Sequence, residues 1–372
     1  MRTRDAVIEY QKTLDDVGTL TKDLDLVDPV SAIFLEFEAR NGTTSNEDNF
    51  LSDVITKVEI VDGSQVLYSL NQSQLEALYF YKTGKTPTLF PSEKITVGST
   101  YAIQRNALLL LFGRYLWDPD FSMDFTKFKN PQLKITSNLA AINAVGATGF
   151  VTATLKATII AKVMENGKKP AQYLMAKEIE SFTSATSGEK RIDLPTDYIY
   201  RMLMGRFWVE GSDIDEVITD FKMTCDSDKF IPFNRKVKQL DAEALTQFGL
   251  CELKHDIYRA HGATVRLLVN KEPVCLIMDN TGTADIPCIN WQWSSNFYLS
   301  LFTHAGANDT TARDLTVREF GHALHATLPV PFGIMDDPTS WFDPKPYKKV
   351  ELVLTQAVAA TCQICLEQVR PL

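Results

Sequence analysis

Hydrophobic and polar positions alternate with a period of two along much of the chain from residue 30 onward. Two clear segments run over residues 33–38, just before an Asn-Gly pair, and over residues 54–61, just before an Asp-Gly pair. Such alternation predicts half-buried β-strands, and these pairs are typical of hairpin turns. A short helix is predicted at residues 72–81 and another at residues 240–248. Many short strands between turn signals indicate a β-sandwich or barrel.

A segment of the first half recurs in the second half. The stretch DVITKVEIVDGSQV from Asp53 aligns with EVITDFKMTCDSDKF from Glu216, and the same strand face is apolar in both. After a further length difference of four residues, LEAL from Leu75 aligns with AEAL from Ala242. Strand, turn, strand and helix therefore occur twice in the same order, which predicts a duplicated domain. Two copies are too few for a solenoid.

The segments outside the repeat complete the predicted organisation. Five apolar residues near the N-terminus recur at helical spacing: Val7, Tyr10, Leu14, Val17 and Leu24. They predict an N-terminal helical arm over residues 1–27, whose acidic excess disfavours anionic lipid and favours packing or a partner over a membrane contact. The polar residues 171–190 are predicted to connect a first barrel, residues 28–170, to a second, residues 191–372.

Composition narrows the function classes. The 372 residues are 45% hydrophobic and 23% charged, as in a globular protein with a full core. The net charge of −9 argues against a protein that mainly binds phosphate backbones. We expect no membrane-spanning helix and no Sec signal. All six cysteines and all five histidines follow residue 224, so catalysis in the first half would depend on carboxylates, hydroxyls or lysines.

Two short motifs contain metal-ligating residue types. His322 and His325 form H-x-x-H, but the zincin pattern needs H-E-x-x-H, and residues i and i+3 of a strand point to opposite faces. We expect ordinary core or surface histidines. Cys362 and Cys365 form a lone C-x-x-C without the second pair of a zinc ribbon. We expect buried free thiols here and at the other four cysteines.

The remaining motifs do not predict an active site. Asp118, Asp120 and Asp124 lack the spacing of an EF-hand, so we expect a solvated turn. The GKT stretch at residues 84–86 would need a P-loop glycine where Tyr79 stands, so we expect an exposed turn. Neither G-x-S-x-G nor G-x-G-x-x-G occurs. The sequence therefore predicts no catalytic, cofactor-binding or metal-ligating residue and no enzyme.

Three segments, in this order, resemble the double jelly-roll major capsid proteins of the tectivirus–adenovirus lineage. DFTKFKNPQLKITSNLA, residues 124–140, resembles the entry to the later strands of the first barrel. RIDLPTDYIYRMLMGRF, residues 191–207, resembles the opening of the second barrel, and TCQICLEQVRPL, residues 361–372, resembles the closing strand. The resemblance extends from about residue 28 to the end and points to tailless icosahedral bacteriophages.

The resemblance implies an all-β fold of two tandem eight-stranded jelly-roll β-barrels, with short helices after equivalent strands. It implies a structural protein whose homotrimers form pseudo-hexameric capsomers of an icosahedral viral shell, made in the host cytoplasm and located in the virion. The implied partners are further copies of the chain and minor capsid or penton proteins. A contact of residues 1–27 with an internal viral membrane is also compatible. No direct contact with nucleic acid and no cofactor are expected.

Two other function classes stay open. A jelly-roll viral spike or glycan-binding protein could stack sugars on Trp291, Trp293 or Trp341, although aromatic residues in strands more often lie in the core. Neither function needs the duplication. A β-sandwich glycosidase would use a pair of carboxylates, but the 47 acidic residues single out no pair.

Overall fold

The computed structural model describes residues 2–40, 50–90, 92–94, 103–139, 150–209, 212–259, 264–268, 272–280, 298–302 and 313–372. Side chains are described for these residues except 90, 92–94 and 255–317. The described residues form 23 β-strands and four α-helices. None of these helices is long and apolar enough to cross a membrane. We call residues 2–165 the first half of the chain and residues 172–372 the second half.

The first half contains ten strands and two helices. Its strands are β1 (Arg2–Thr13), β2 (Val17–Asp23), β3 (Val30–Arg40), β4 (Ile55–Asp62), β5 (Gln65–Leu70), β6 (Thr88–Phe90), β7 (Ser92–Lys94), β8 (Ile103–Leu111), β9 (Pro131–Asn138) and β10 (Lys156–Glu165). Its helices are α1 (Leu51–Val54) and α2 (Gln72–Thr83).

The second half contains thirteen strands and two helices. Its strands are β11 (Gln172–Thr183), β12 (Glu189–Leu194), β13 (Tyr200–Trp208), β14 (Ile218–Cys225), β15 (Phe230–Lys236), β16 (Cys251–Arg259), β17 (Thr264–Leu268), β18 (Glu272–Asn280), β19 (Tyr298–Phe302), β20 (Arg313–His322), β21 (Thr327–Pro331), β22 (Val350–Gln356) and β23 (Thr361–Pro371). Its helices are α3 (Ile214–Val217) and α4 (Val237–Phe248).

The two halves repeat the same sheets. The first half has the strand orders β1-β10-β3-β8-β6 and β2-β9-β4-β5, and the second half has β11-β23-β13-β21 and β12-β22-β14-β15. The short strand β6 is the one addition among these sheets. A parallel bridge between Ser69 of β5 and Lys177 of β11 joins two of them into one eight-stranded sheet. The predicted all-β architecture with short helices after equivalent strands is confirmed, and eight strands for each barrel stays a prediction.

The predicted repeat has the same element order in both halves. The first half runs α1, β4, β5, α2, and the second runs α3, β14, β15, α4, with helices of four and twelve residues in each. The strands β4 and β14 have eight residues each and start 163 positions apart, as the aligned segments do. The predicted alignment of the longer helices is wrong by two residues. Counted from the start of each helix, Leu75–Ala77 lies opposite Leu240–Ala242.

The predicted helical arm is wrong. Strand β1 pairs with β10 along its length, and β2 pairs with β9, so residues 2–23 form edge strands of both first-half sheets. Val7 and Tyr10 are 62% and 72% exposed, whereas Leu14 and Leu24 are buried. The apolar residues therefore do not share one buried helix face. Backbone pairing with β10 and β9 makes these residues strands, and the spacing of apolar residues does not predict this pairing.

The predicted connection at residues 171–190 also contains strands. All of β11 lies in it, and β11 pairs with β23 from Gln172 to Thr183. In the sheet orders β11 holds the place that β1 holds in the first half, and β12 holds that of β2. The polar composition that predicted a connection reflects an exposed end of β11, because its burial falls from Lys177 onward. A division of the chain into two units near residue 170 stays a prediction.

Two strands of the second half are buried on both faces. On β13 and β23, Met204 and Cys365 belong to the hydrophobic core of the first half. Leu203 and Ile364, their neighbours in sequence, belong to the core of the second half. One sheet thus separates the two cores, and its outer face packs against α2.

A further sheet joins parts of both halves. It has the order β18-β20-β16-β7, and β7 of the first half runs parallel to β16 of the second. Strands β17 and β19 form a separate antiparallel pair.

Candidate functional site

The two histidines of the H-x-x-H motif contact different helices. His322 ends β20, and its Nδ1 atom lies 2.9 Å from Oδ1 of Asp241 on α4. His325 lies in the 3₁₀ turn Leu324–Ala326, and its Nε2 atom lies 2.5 Å from Oε2 of Glu76 on α2. Each histidine is thus paired with its own carboxylate. Across the described residues, no group of three or more His, Cys, Asp or Glu side chains could hold a metal ion.

The cysteines of the C-x-x-C motif point into different cores. Cys362 packs in the second core and Cys365 in the first, as expected for positions i and i+3 of a strand. Both are buried free thiols, as are Cys225 and Cys251. Burial raises the pKa of the Cys365 thiol well above its usual value. Cys275 and Cys288 lie outside the described side chains, so six free thiols stay a prediction.

The three aspartates between β8 and β9 lie in different environments. Asp118 is fully buried and accepts hydrogen bonds from Nε and Nη2 of Arg114 at 2.7 and 2.9 Å. Asp124 is fully buried and accepts one from Oγ1 of Thr126 at 2.6 Å. Only Asp120 is exposed, so the predicted solvated turn is wrong for two of the three. The spacing of the aspartates does not show that Arg114 pairs with Asp118 and compensates its buried charge.

The other predicted positions are structural where they are described. Gly84 ends α2 in the left-handed conformation, and its N–H donates to the carbonyl of Phe80, so the GKT stretch is the turn after a helix. Trp341 is 6% exposed and its Nε1 atom donates to the carbonyl of Ile334, so it presents no face to a sugar. Trp291 and Trp293 lie outside the described residues.

The most distinctive polar cluster lies where α2 meets the second half. Nine of the twelve residues of α2 are buried, among them Gln72, Ser73, Gln74 and Glu76. Buried polar groups need hydrogen-bond partners, because an unsatisfied one costs about 1–3 kcal/mol. We call the contact of α2 with β11, β13, β23 and the turn 324–326 the inter-half interface.

Glu76 is the centre of one cluster at the inter-half interface. Its side chain is fully buried, and Oε2 accepts from Ser52 Oγ at 2.7 Å and contacts His325 Nε2 at 2.5 Å. Oε1 accepts from Gln72 Nε2 at 2.9 Å and from Asn106 Nδ2 at 3.1 Å. Three of the four partners belong to the first half, and His325 belongs to the second. The imidazole of one half therefore completes the hydrogen bonding of a buried carboxylate in the other.

The turn that carries His325 has an unusual backbone. Ala323, His325 and Ala326 have φ values of 50°, 56° and 54°, in the left-handed region that non-glycine residues rarely adopt. Nε of Arg206 donates to the carbonyl of His325 at 3.1 Å, and the hydroxyl of Tyr81 donates to the carbonyl of Thr327 at 2.6 Å. Contacts from both halves thus hold the conformation that directs His325 at Glu76.

A buried cluster of three charges lies at the other end of α2. Lys82 Nζ lies 2.7 Å from Oε1 of Glu367 on β23, and Arg201 Nη1 of β13 lies 2.5 Å from Oε2. All three side chains are 1% exposed. Two cations share one carboxylate, so the cluster carries a net positive charge inside the protein. Carbonyls compensate part of it, because Leu111 accepts from Lys82 and Met335 accepts from Arg201.

The pKa values reflect this imbalance. Burial lowers the pKa of Lys82 to about 8, against the opposing effect of Glu367. The two cations lower the pKa of Glu367 and outweigh its desolvation. Lys82 is therefore the member of the cluster whose charge is least favourable in the folded state.

Lys82→Met is expected to change the pH dependence of stability above pH 8. The pKa of Lys82 is about 8 in the folded wild type, below the ordinary value of 10.5 that applies to the unfolded chain. As pH falls from about 10.5 to 8, the unfolded wild type binds this proton before the folded protein does, so the free energy of unfolding of the wild type decreases. The variant lacks this loss. Its advantage over wild type should shrink by about 1.4 kcal/mol per pH unit as pH rises above 8. Urea denaturation of both chains at pH 7.5, 8.5 and 9.5 measures it. A constant difference would contradict the assignment.

Sequence reasoning missed the inter-half interface. Two signals were present: polar residues at 72, 74 and 76 within a helix predicted to pack, and the charged residues Arg201 and Glu367 next to apolar residues of strands β13 and β23. A charge in an otherwise apolar strand indicates a buried pair. Glu367 is 166 residues from Arg201 and 285 residues from Lys82 in the sequence, so the pairing is visible only in the fold.

Comparisons with known proteins identify the fold. No protein-family model and no curated protein matches the chain. The solved structure of the MCP of STIV, the Sulfolobus Turreted Icosahedral Virus, has a TM-score of 0.60 at 10% identity, covering 99% of this chain and 96% of that chain. The major capsid protein P2 from Bacteriophage PM2 has a TM-score of 0.54 at 10% identity, covering 100% and 98%. The capsid of PBCV-1 virus gives 0.57 at 10% identity, covering 99% and 93%.

These similarities extend over nearly the whole of each chain. This fold agrees with the one that the sequence resemblance implies. The chain has the fold of the double jelly-roll viral major capsid proteins.

Proposed function

We propose that the protein is the major capsid protein of an icosahedral virus and that it acts as a structural shell protein. The observation that carries this proposal is the match of both halves together, over 99% of the chain, to the STIV MCP. A spike or a glycan-binding module would not need the duplication, and a glycan-binding module would need an accessible binding face. Among the aromatic residues proposed for sugar binding, Trp341 is buried.

The chemistry of the inter-half interface supports a structural role. Glu76, His325, Lys82, Arg201 and Glu367 resemble catalytic residue types, but each is at most 4% exposed and is satisfied by protein groups. They hold the two halves in a fixed relation, which a shell subunit needs because each half contacts neighbours. The finer proposals are a homotrimeric, pseudo-hexameric capsomer, contacts with minor capsid or penton proteins, and no enzymatic activity.

The oligomeric state of the purified chain tests the proposal. Three copies of a chain with two similar halves would form a ring with six related parts. Mass photometry at micromolar concentration should show a particle of about 125 kDa, three times the 41.8 kDa chain. A strict monomer under those conditions would contradict the proposed function.

A further inference from the structure

The second half carries a sheet at a place where the structure describes only two short strands of the first half. After the longer helix, the first half continues with residues 84–102, which contain β6 and β7, and the second half with residues 249–326, which contain β16 to β20. Strand β20 pairs with β16 and β18, and β7 pairs with β16. We call β18, β20, β16 and β7 the inserted sheet. Its two attachments to the second half lie side by side, because Cys251 at the start of β16 pairs with Gly321 near the end of β20.

The turn that follows β20 reaches both hydrophobic cores. Leu324 packs in the core of the first half, together with Cys251 at the start of β16. Ala323 and Ala326, on either side of Leu324, pack in the core of the second half. All four residues are at most 3% exposed. The conformation of this turn therefore depends on how the two halves pack against each other.

The two histidines of residues 322–326 contact equivalent positions of the repeated helices. His322 contacts Asp241 of α4, and His325 contacts Glu76 of α2. Asp241 and Glu76 are each the fifth residue of a twelve-residue helix. The duplication thus provides a carboxylate at the same place on both helices, and one short segment uses both of them. The H-x-x-H motif therefore joins α2, α4 and the inserted sheet.

The backbone of this segment opposes the conformation that the histidines hold. Ala323, His325 and Ala326 all lie in the left-handed region. This region is disfavoured roughly tenfold for each non-glycine residue. Side-chain contacts compensate the cost, since Glu76 holds the imidazole of His325 and Arg206 donates to its carbonyl. Without these contacts, the segment gains free energy when it leaves the left-handed region.

We propose that residues 322–326 form a latch that holds the inserted sheet against the two halves. In the closed state both histidine–carboxylate pairs are formed and the turn is left-handed. In the open state the turn relaxes, the pairs separate, and the ends of β16 and β20 leave the core of the first half while the other sheets stay folded. The loss of either pair shifts the latch towards the open state. The latch belongs to a single chain and does not depend on the proposed shell function.

Thiol labelling of the full-length chain tests the latch, because Cys251 is fully buried where the inserted sheet meets the core of the first half. Three further buried cysteines, which lie in β14 and β23, report global unfolding and serve as the internal reference: Cys225, Cys362 and Cys365. N-ethylmaleimide labelling of the native protein, followed by peptide mass spectrometry, gives the rate at each cysteine. In His325→Ala, Cys251 should be labelled at least about tenfold faster than in wild type, with the reference cysteines unchanged.

Asp241→Leu removes the other pair and should act in the same direction. Asp241 and His322 are 16% and 14% exposed, so the chain should stay folded and the acceleration at Cys251 should be smaller. Glu243→Leu is the matched control, because Glu243 lies on the same helix, is 61% exposed and pairs with Arg235. It should leave the labelling of Cys251 as in wild type.

His325→Gly separates the backbone strain from the lost contact. Both His325→Ala and His325→Gly remove the imidazole, but glycine adopts the left-handed conformation without a steric penalty. Cys251 should therefore be labelled more slowly in His325→Gly than in His325→Ala. In an unstrained loop the order would be the reverse, because glycine has more conformational freedom than alanine.

Three results would overturn the latch. They are an unchanged rate at Cys251 in both His325→Ala and Asp241→Leu, faster labelling in His325→Gly than in His325→Ala, and the same acceleration in Glu243→Leu as in Asp241→Leu. If His325→Ala unfolds as a whole, so that all four cysteines are labelled, Asp241→Leu decides. Acceleration at Cys251 alone then supports the latch, and labelling of Cys251 at the wild-type rate overturns it.

Discussion

Glu367→Gln is expected to lower the free energy of unfolding by about 3–5 kcal/mol, since it removes the one carboxylate between two buried cations. Lys82 and Arg201 are each 1% exposed, and the neutral amide cannot compensate their charge. The change preserves the shape of the side chain, so the loss reports electrostatics and not packing. Urea denaturation at pH 7.5, at a chain concentration that gives all variants the same oligomeric state, measures the difference.

Lys82→Met is the matched control for this prediction. It removes one cation from the same cluster and leaves Arg201 and Glu367 as a neutral pair with a 2.5 Å contact. We expect it to be at least as stable as wild type at pH 7.5, because the charge it removes is the unfavourable one. If Glu367→Gln and Lys82→Met lowered the free energy of unfolding equally, hydrogen bonds and not the net charge would determine the stability of the cluster.

The second large effect is expected for Glu76→Leu, at roughly 3–5 kcal/mol. The leucine leaves Ser52 Oγ, Gln72 Nε2 and His325 Nε2 without their buried acceptor. Asn106 Nδ2 loses one of its two acceptors and keeps Ser52 Oγ. It also removes the hydrogen bond between the strained turn of His325 and α2. We therefore expect denaturation at lower urea, measured as above.

Asp241→Leu is the matched control, because Asp241 occupies the equivalent position in α4 and also contacts a histidine. Asp241 and His322 are 16% and 14% exposed, so water can replace part of what the substitution removes. We expect a loss of at most about 1 kcal/mol. A loss at Asp241 as large as that at Glu76 would show that the position in the helix, and not the buried hydrogen bonding, determines stability.

The sequence predicted the order of the repeated elements. It did not predict strands that form by pairing with a distant part of the chain. The aligned segments at Asp53 and Glu216 predicted the order of strand and helix in both halves, because alternation and turn residues are local properties. The edge strand β1 was predicted as a helix, since its apolar residues Val7 and Tyr10 do not face the chain's own core. Its pairing with β10 joins residues more than 140 positions apart, which no local pattern encodes.

The partners of the motif residues could not be predicted from the sequence. His325 was expected to be an ordinary core or surface histidine, and it is buried against Glu76. The sequence separation of 249 residues hides this contact, and the left-handed backbone that directs the imidazole has no glycine to mark it. A partner can also be missed at short range. Arg114 lies only four residues from Asp118, and the two form a buried ion pair where the sequence predicted a solvated turn.

Electron cryomicroscopy of the purified wild-type chain at micromolar concentration tests whether the protein is a trimeric shell subunit. We expect six-lobed rings of three chains, in which each chain contributes two similar barrels. Isolated two-lobed particles at all concentrations would contradict it.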